Sequence, residues 1–175
     1  MSATTADYQN HFHPREYLRQ YYSAAALTDD EAAIFRFLNE KLAGNSFATS
    51  LEFGCGPTVH HAFGLLPFVG ELHLAEYLEG NRNEVTRWIK ADPDAHDWDP
   101  QLRGILEIEA RGDDLATRIG QLRGRATKVL PCDLFRDPPL DESGTYDLVA
   151  SFYTAECLAG RYRSGKPTWP GFSLS

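Results

Sequence analysis

The segment TSLEFGCGPT, Thr49 to Thr58, decides how this chain is read. Thr49 to Phe53 has the character of a short strand, and Gly54-Cys55-Gly56-Pro57-Thr58 ends it. Gly54 allows a sharp turn at positive φ, and Gly56 allows backbone to approach a ligand with no Cβ between them. A helix that follows such a turn aims its first amides at whatever lies above it. A tight strand–helix connection explains a glycine pair equally well, so the residues downstream must decide.

Glu76 lies 22 positions after Gly54, at the end of a second strand-like run, Glu71-Leu72-His73-Leu74-Ala75. An acid about 20 residues beyond a glycine turn is placed to accept two hydrogen bonds from a ribose diol. The plain alternative is a solvated glutamate at a strand end. The third glycine of a dinucleotide fingerprint is absent, since Pro57, Thr58 and Val59 follow Gly56. A pyrophosphate needs the close helix packing that glycine permits, which disfavours NAD and FAD. A looser turn suits a ligand without phosphates, such as the amino-acid end of S-adenosylmethionine. Cys132-Asp133-Leu134 closes a third strand, read over Thr127 to Leu134, and sets Asp133 near an adenine edge or simply at a loop start.

Working outward, Tyr8, Phe12, Tyr17, Leu18, Tyr21 and Tyr22 recur at helical spacing over residues 7–22. Thr28 with Glu31 forms a capping-box pattern. Ile34, Phe35, Phe37, Leu38 and Leu42 give the next helix an apolar face, and Gly44 is a natural stop. Helices are expected over His60 to Phe68 and Asn81 to Lys90, and in two pieces over residues 100–124 broken at Arg111-Gly112. Tyr146 to Phe152 reads as a fourth strand, apolar enough to be buried on both faces. Alternating strands and helices predict an α/β fold with a mostly parallel, Rossmann-like sheet. The expected divisions are an N-terminal helical cap over 1–45, a ligand-binding core over 46–157 and an irregular tail over 158–175.

With 175 residues, 42% of them hydrophobic, the chain has enough apolar surface for one packed domain. The formal charge of −8 argues against a phosphate backbone or an anionic membrane as partner. The densest basic cluster, Arg118, Arg123, Arg125 and Lys128, is diluted by glycine and apolar residues. Cys55, Cys132 and Cys157 are few, scattered and odd in number, as suits a reducing cytoplasm. No apolar leader opens the sequence and no run approaches the ~20 residues of a membrane span.

These motifs together carry a family resemblance. The chain resembles the nicotinamide, phenylethanolamine, indolethylamine and thioether methyltransferases, a class I group that uses S-adenosyl-L-methionine. Tyr8 to Tyr22 resembles the family's opening helix, whose tyrosines close over cofactor and substrate. Gly54 to Thr58 resembles its GSGPT turn, and Glu76-Tyr77 with Asn81 stands where the family holds ribose and adenosine. Trp88, Asp92-Pro93 and Asp97-Trp98-Asp99-Pro100 resemble its KWLKKEP–AFDWSP stretch, and Cys132-Asp133-Leu134 its CDV. The family often has tyrosine where this chain has His60, a ring that can still stack on or bond to the cofactor. The match runs from about Tyr8 to Cys157, whereas family chains continue with further strands, a substrate-covering insert and a closing hairpin. The resemblance thus implies a truncated or frame-disrupted member whose sheet ends at an uncovered edge.

The resemblance implies a small-molecule N-methyltransferase with an amine or pyridine substrate. Methyl transfer from a sulfonium demands mainly positioning. Tyr17, Tyr21 and Tyr22 are candidates to pack over the cation. Cofactor contacts are expected from Tyr17, Tyr22, Gly54, Gly56, Thr58, His60, Glu76, Tyr77, Asn81, Asp133, Leu134 and Phe152. Glu156, in the segment Ser151 to Cys157, is the candidate carboxylate for the substrate amine, assisted by Tyr17. No metal is expected, because neither His11 with His13 nor His60 with His61 has a convincing third ligand. Cys55 has the position of an activated thiol but no nameable base, and reads as a small turn residue. The alternatives are an inactive cofactor-binding fragment or interaction module, and a nucleotide-binding oxidoreductase.

Overall fold

TSLEFGCGPT supplies most of β1, Phe47–Phe53, in a computed structural model that describes residues 12–23, 26–142 and 144–154. β1 is central in a four-stranded parallel sheet. β2, Val69–Glu76, flanks it on one side, with β3, Ala126–Pro131, beyond. β4, Leu148–Ala150, pairs on the other side. Strand order therefore reverses at β1, and the crevice at the carboxyl ends of β1 and β4 is where open α/β sheets bind ligands.

Among the described residues six helices accompany the sheet: α1 (Pro14–Tyr21), α2 (Asp29–Lys41), α3 (His60–Leu65), α4 (Glu79–Ile89), α5 (Asp99–Glu109) and α6 (Leu115–Arg125). All six feed one large core with the helix-facing side of the sheet, where Leu18, Phe35, Phe63, Trp88, Ile105 and Leu122 meet Leu72 and Leu74. The opposite sheet face carries a smaller cluster of Leu51, Phe53, Ala75, Leu130 and Cys132, covered by Leu134, Leu140 and Tyr146 from the loop after β3. This division follows from strand periodicity: Ser50 and Glu52 take one face of β1, Leu51 and Phe53 the other.

The capping box forms as expected. Glu31 N donates to Thr28 Oγ1 at 3.2 Å, and Thr28 N donates to Glu31 Oε2 at 2.9 Å. The break between α5 and α6 also falls where expected, with Gly112 at φ 79° and Asp114 capping α6 through the amides of Ala116 and Thr117. The basic cluster is consumed internally. Arg118 is buried between Glu109 and Asp113, Arg123 lies over Trp88, Arg125 donates to the carbonyls of Leu66 and Val69, and Lys128 pairs with Glu142. None of the described helices is long and apolar enough to cross a membrane.

The structure corrects several expectations. β4 covers only Leu148–Ala150 and is not buried on both faces: Val149 is 48% exposed. Its apolar residues meet β1 on one edge, and among the described residues no strand pairs with the other. β3 stops at Pro131 rather than Leu134, because Asp133 reverses the chain, accepting from Phe135 N and donating its own amide to Pro139 O. The helix after the glycine turn ends at Leu65, and Pro67 carries the chain through a short 3₁₀ turn over Leu66–Phe68. Phe37 does not join the apolar face of α2. Two residues beyond buried Phe35 it has rotated about 200° round the helix, and it lies 57% exposed beneath Lys41. The opening helix is described only from Pro14, so Tyr8 lies outside the described residues, as does the proposed tail over 158–175.

Candidate functional site

The glycine turn is built between the two strands that flank β1. Gly54 and Gly56 both take positive φ, 74° and 61°. The amides of Gly54 and Cys55 both donate to Ala75 O, at 2.8 and 3.2 Å, and Gly56 N donates to Glu76 Oε2 at 3.1 Å. The Thr58 hydroxyl donates to Cys55 O at 2.8 Å and closes the turn. A Cβ placed on Gly56 would meet nothing within 4 Å, so open space stands beside this glycine.

Glu76 organises the turn. It is buried, which removes the reading of a solvated strand-end acid. Its Oε1 accepts from Leu78 N and from the Asn81 amide, each at 2.9 Å, while Oε2 holds Gly56. A carboxylate oxygen has about two acceptor sites, so Oε2 keeps one for a further donor. Asn81 Oδ1 is buried with no partner, an acceptor that costs free energy until a donor reaches it. Arg82 fixes the connection by donating to the carbonyls of Glu76 and Tyr77 at 2.8 and 2.6 Å.

This inventory decides the ligand chemistry. All three turn amides are already used by Ala75 and Glu76, so they offer little to a pyrophosphate. Spare acceptors at Glu76 and Asn81 instead suit hydroxyl donors. The residues fit a nucleoside ligand without bridging phosphates.

A continuous run of aromatic rings joins α1 to the segment after β4. Tyr17 packs on Tyr22 at 6.0 Å, Tyr22 on His60 at 5.0 Å, His60 on His61 at 3.9 Å, and His61 stacks on Phe152 at 4.4 Å. Four of the residues expected at the site thus belong to one contact chain. His60 lies inside it rather than at the surface of the turn: it is fully buried, stacked on Trp98, with Nε2 3.2 Å from Glu31 Oε1. Trp88 and Trp98 are core residues. α1 is seated by Arg15, which pairs with Glu84 at 2.9 Å, and by Pro14, whose Cγ lies 3.2 Å from where a Cβ on Gly80 would be. Burial pushes the Tyr22 hydroxyl far up, with Tyr17 adding to the effect, so Tyr22 is a neutral phenol.

Asp133 is half-buried next to Glu76, since Cys132 N donates to Glu76 O at 3.3 Å. Leu134 differs: its side chain packs into the cluster on the opposite face of the sheet. Glu156 and Cys157 lie outside the described residues. Cys55 is buried, and burial together with Glu52 and Glu76 raises its thiol well above the ordinary range, so it is no thiolate nucleophile. Among the described residues no group of three or more His, Cys, Asp or Glu is arranged to hold a metal.

Two residues beneath the turn escaped the sequence reading. Glu52 is 1% exposed, its Oε2 has no partner, and burial pushes its pKa up to about 8. His61 Nδ1 stands 3.7 Å away, and burial holds this imidazole well below its usual range. The one signal in the sequence is a glutamate between Leu51 and Phe53, which alternation assigns to the helix-facing side together with Ser50. Glu52 and His61 therefore form a buried, uncharged acid–base pair near neutral pH.

The family model described as the NNMT/PNMT/TEMT family matches residues 1–164. The chain is 31% identical over 140 residues to indolethylamine N-methyltransferase of Oryctolagus cuniculus, covering 77% of this chain and 53% of that protein. It is 29% identical over 166 residues to phenylethanolamine N-methyltransferase of Bos taurus, covering 90% and 58%. To nicotinamide N-methyltransferase of Homo sapiens it is 27% identical over 139 residues, covering 76% and 53%. The chain thus spans just over half the length of these curated relatives. A glycine turn whose amides are spent, a buried acid that holds it, and a family match over nearly the whole sequence lead to one assignment: this chain belongs to the NNMT/PNMT/TEMT family.

Proposed function

We propose that this chain is the methyl-donor-binding part of an N-methyltransferase that takes S-adenosyl-L-methionine and a small amine or pyridine substrate. The observation that carries the reading is the state of Glu76: buried, bound to the glycine turn, and left with acceptor capacity beside the unpartnered Asn81 Oδ1. Glu76 and Asn81 accept the ribose hydroxyls, and Gly54, Gly56 and Thr58 shape the floor under the amino-acid end. Asp133 faces the exocyclic amine of adenine, with Tyr77 beside it, while Leu134 supports this loop from the opposite face of the sheet. Tyr17, Tyr22 and Phe152 form the aromatic wall, and His60 backs it from within the core. The donor supplies an electrophilic methyl carbon. The protein's share is to exclude water, orient the acceptor nitrogen and stabilise the cation formed on it. Glu156, two residues beyond Thr154, is the carboxylate that receives that amine. The free thiols of Cys55 and Cys132 accord with a cytoplasmic setting.

The test is calorimetric unfolding of the 175-residue chain with and without S-adenosylhomocysteine. A cooperative transition that rises with ligand is expected, because binding to the native state alone stabilises it by mass action. Glu76→Ala should weaken that binding by more than tenfold, and Glu156→Ala should leave it nearly unchanged. Equal losses from both would break the division between donor and acceptor residues. Binding of the donor without methylation of any amine would identify the chain as a cofactor-binding module.

A further inference from the structure

The turn is held from two sides, and only one of them is accounted for by Ala75 and Glu76. On the other side the chain leaves β4 and doubles back over β1. Tyr153 makes the reversal at φ 55°, a left-handed conformation that is unfavourable for a bulky L residue. Such strain persists only where its surroundings over-determine it. Here Phe152 is fixed by its stack on His61 at 4.4 Å, and Thr154 is fixed on the glycine turn itself. The Thr154 hydroxyl lies 2.9 Å from Gly54 O and 3.1 Å from Phe152 O, so its single proton is shared between these carbonyls. The packing is equally close: a Cβ on Gly54 would lie 2.3 Å from Thr154 Oγ1 and 2.5 Å from its Cγ2. Gly54 is thus glycine for two reasons, its positive φ and the side chain lying on it.

We propose that Thr154 is a positioning residue for the methyl-donor site, its hydroxyl fixing the Gly54–Cys55 peptide from the β4 side as Ala75 O and Glu76 fix the turn from the β2 side. The inference rests on the reading that this turn is the floor of the S-adenosylmethionine site. Rotation of the Gly54 peptide moves Cys55 and Gly56 together, so freeing the carbonyl loosens the geometry on which the ligand rests. The hydroxyl provides this hold and the methyl group only fills space.

The experiment compares wild type, Thr154→Val and Thr154→Ser by titration calorimetry with S-adenosylhomocysteine and by thermal unfolding without ligand. Thr154→Val keeps the shape and removes the hydrogen bond, and should weaken binding about fivefold, the loss expected for one hydrogen bond. Thr154→Ser keeps the hydroxyl and should bind within about twofold of wild type by the same reasoning. Both variants should unfold cooperatively near the wild-type midpoint. Wild-type affinity in Thr154→Val, or equal losses in Val and Ser, would overturn the role of the hydroxyl while leaving the donor-site reading intact. Loss of cooperative unfolding in Thr154→Val would overturn it too, since a positioning role leaves the ligand-free fold in place. A wild-type chain that does not bind S-adenosylhomocysteine would overturn the donor-site reading and the role of Thr154 with it.

Discussion

Replacing Glu52 by glutamine tests the electrostatics beneath the glycine turn. Burial raises this carboxyl from 4.5 to about 8, so the folded chain holds a proton that the unfolded chain releases at much lower pH. Between those values the native state binds more protons than the unfolded state, and stability falls as pH rises. The stability contributed by the neutral acid is fully present below pH 4.5 and is lost progressively until about pH 8. Within this window each pH unit removes about 1.4 kcal/mol until the folded group itself begins to ionise near pH 8, so raising the pH from 6 to 8 removes roughly 2 kcal/mol of the stability this group contributes. Glutamine has nearly the same shape and does not titrate, so Glu52→Gln is exempt from the loss. His61, 3.7 Å away, is kept neutral by burial in the fold but is protonated in the unfolded chain below about pH 6.5, so it pulls stability the other way in both proteins and cancels from their difference. Urea denaturation of both proteins at pH 6 and pH 8, followed by tryptophan fluorescence, reads the difference. The variant should gain roughly 2 kcal/mol on wild type between the two conditions, or about 4–8 °C in unfolding midpoint for a chain of this size. Stability curves that run parallel over the interval would refute the reasoning and show that Glu52 is ionised in the native state.

Two other perturbations probe the scaffold that presents the site. Thr28→Ala removes the capping-box hydroxyl that accepts from Glu31 N and should cost about 1 kcal/mol; an unchanged urea midpoint would show that the box adds nothing to α2. Arg118→Ala leaves Glu109 buried without its partner at 2.6 Å and should cost about 3–5 kcal/mol. Adding Glu109→Leu should recover part of the loss, and a double variant no more stable than Arg118→Ala would argue against an uncompensated buried charge.

Much of this molecule is written in local patterns. The capping box at Thr28 and Glu31, the glycine that breaks α5 from α6, and the glycine turn after β1 each depend on a few consecutive residues. Each formed where the sequence placed it, because caps and positive-φ turns are decided by the chemistry of immediate neighbours. The parallel order of the strands likewise followed from their alternation with helices. The spacing from Gly54 to Glu76 pointed to a shared site, and the bond from Gly56 N to Glu76 Oε2 joins the two.

Other features depend on contacts between residues far apart in the chain. Composition marks Tyr146 to Phe152 as a central strand, but the outer edge of β4 has no partner among the described residues, and burial of a strand is a property of its neighbours rather than of its own apolarity. His60 reads as a ligand contact from its place after the turn, yet Glu31, Tyr22 and Trp98 converge on it from three other segments and enclose it in the core. Glu52, His61 and Thr154 carry no motif of their own. Their chemistry arises only where the end of β1, the first turn of α3 and the reversal after β4 meet. The sequence by itself determined the elements, their order and the acid that answers the glycine turn. The tertiary structure decided which polar groups are desolvated, which turn amides are already spent, and which distant side chain holds the turn in place, because desolvation and packing are set by what surrounds a residue in space.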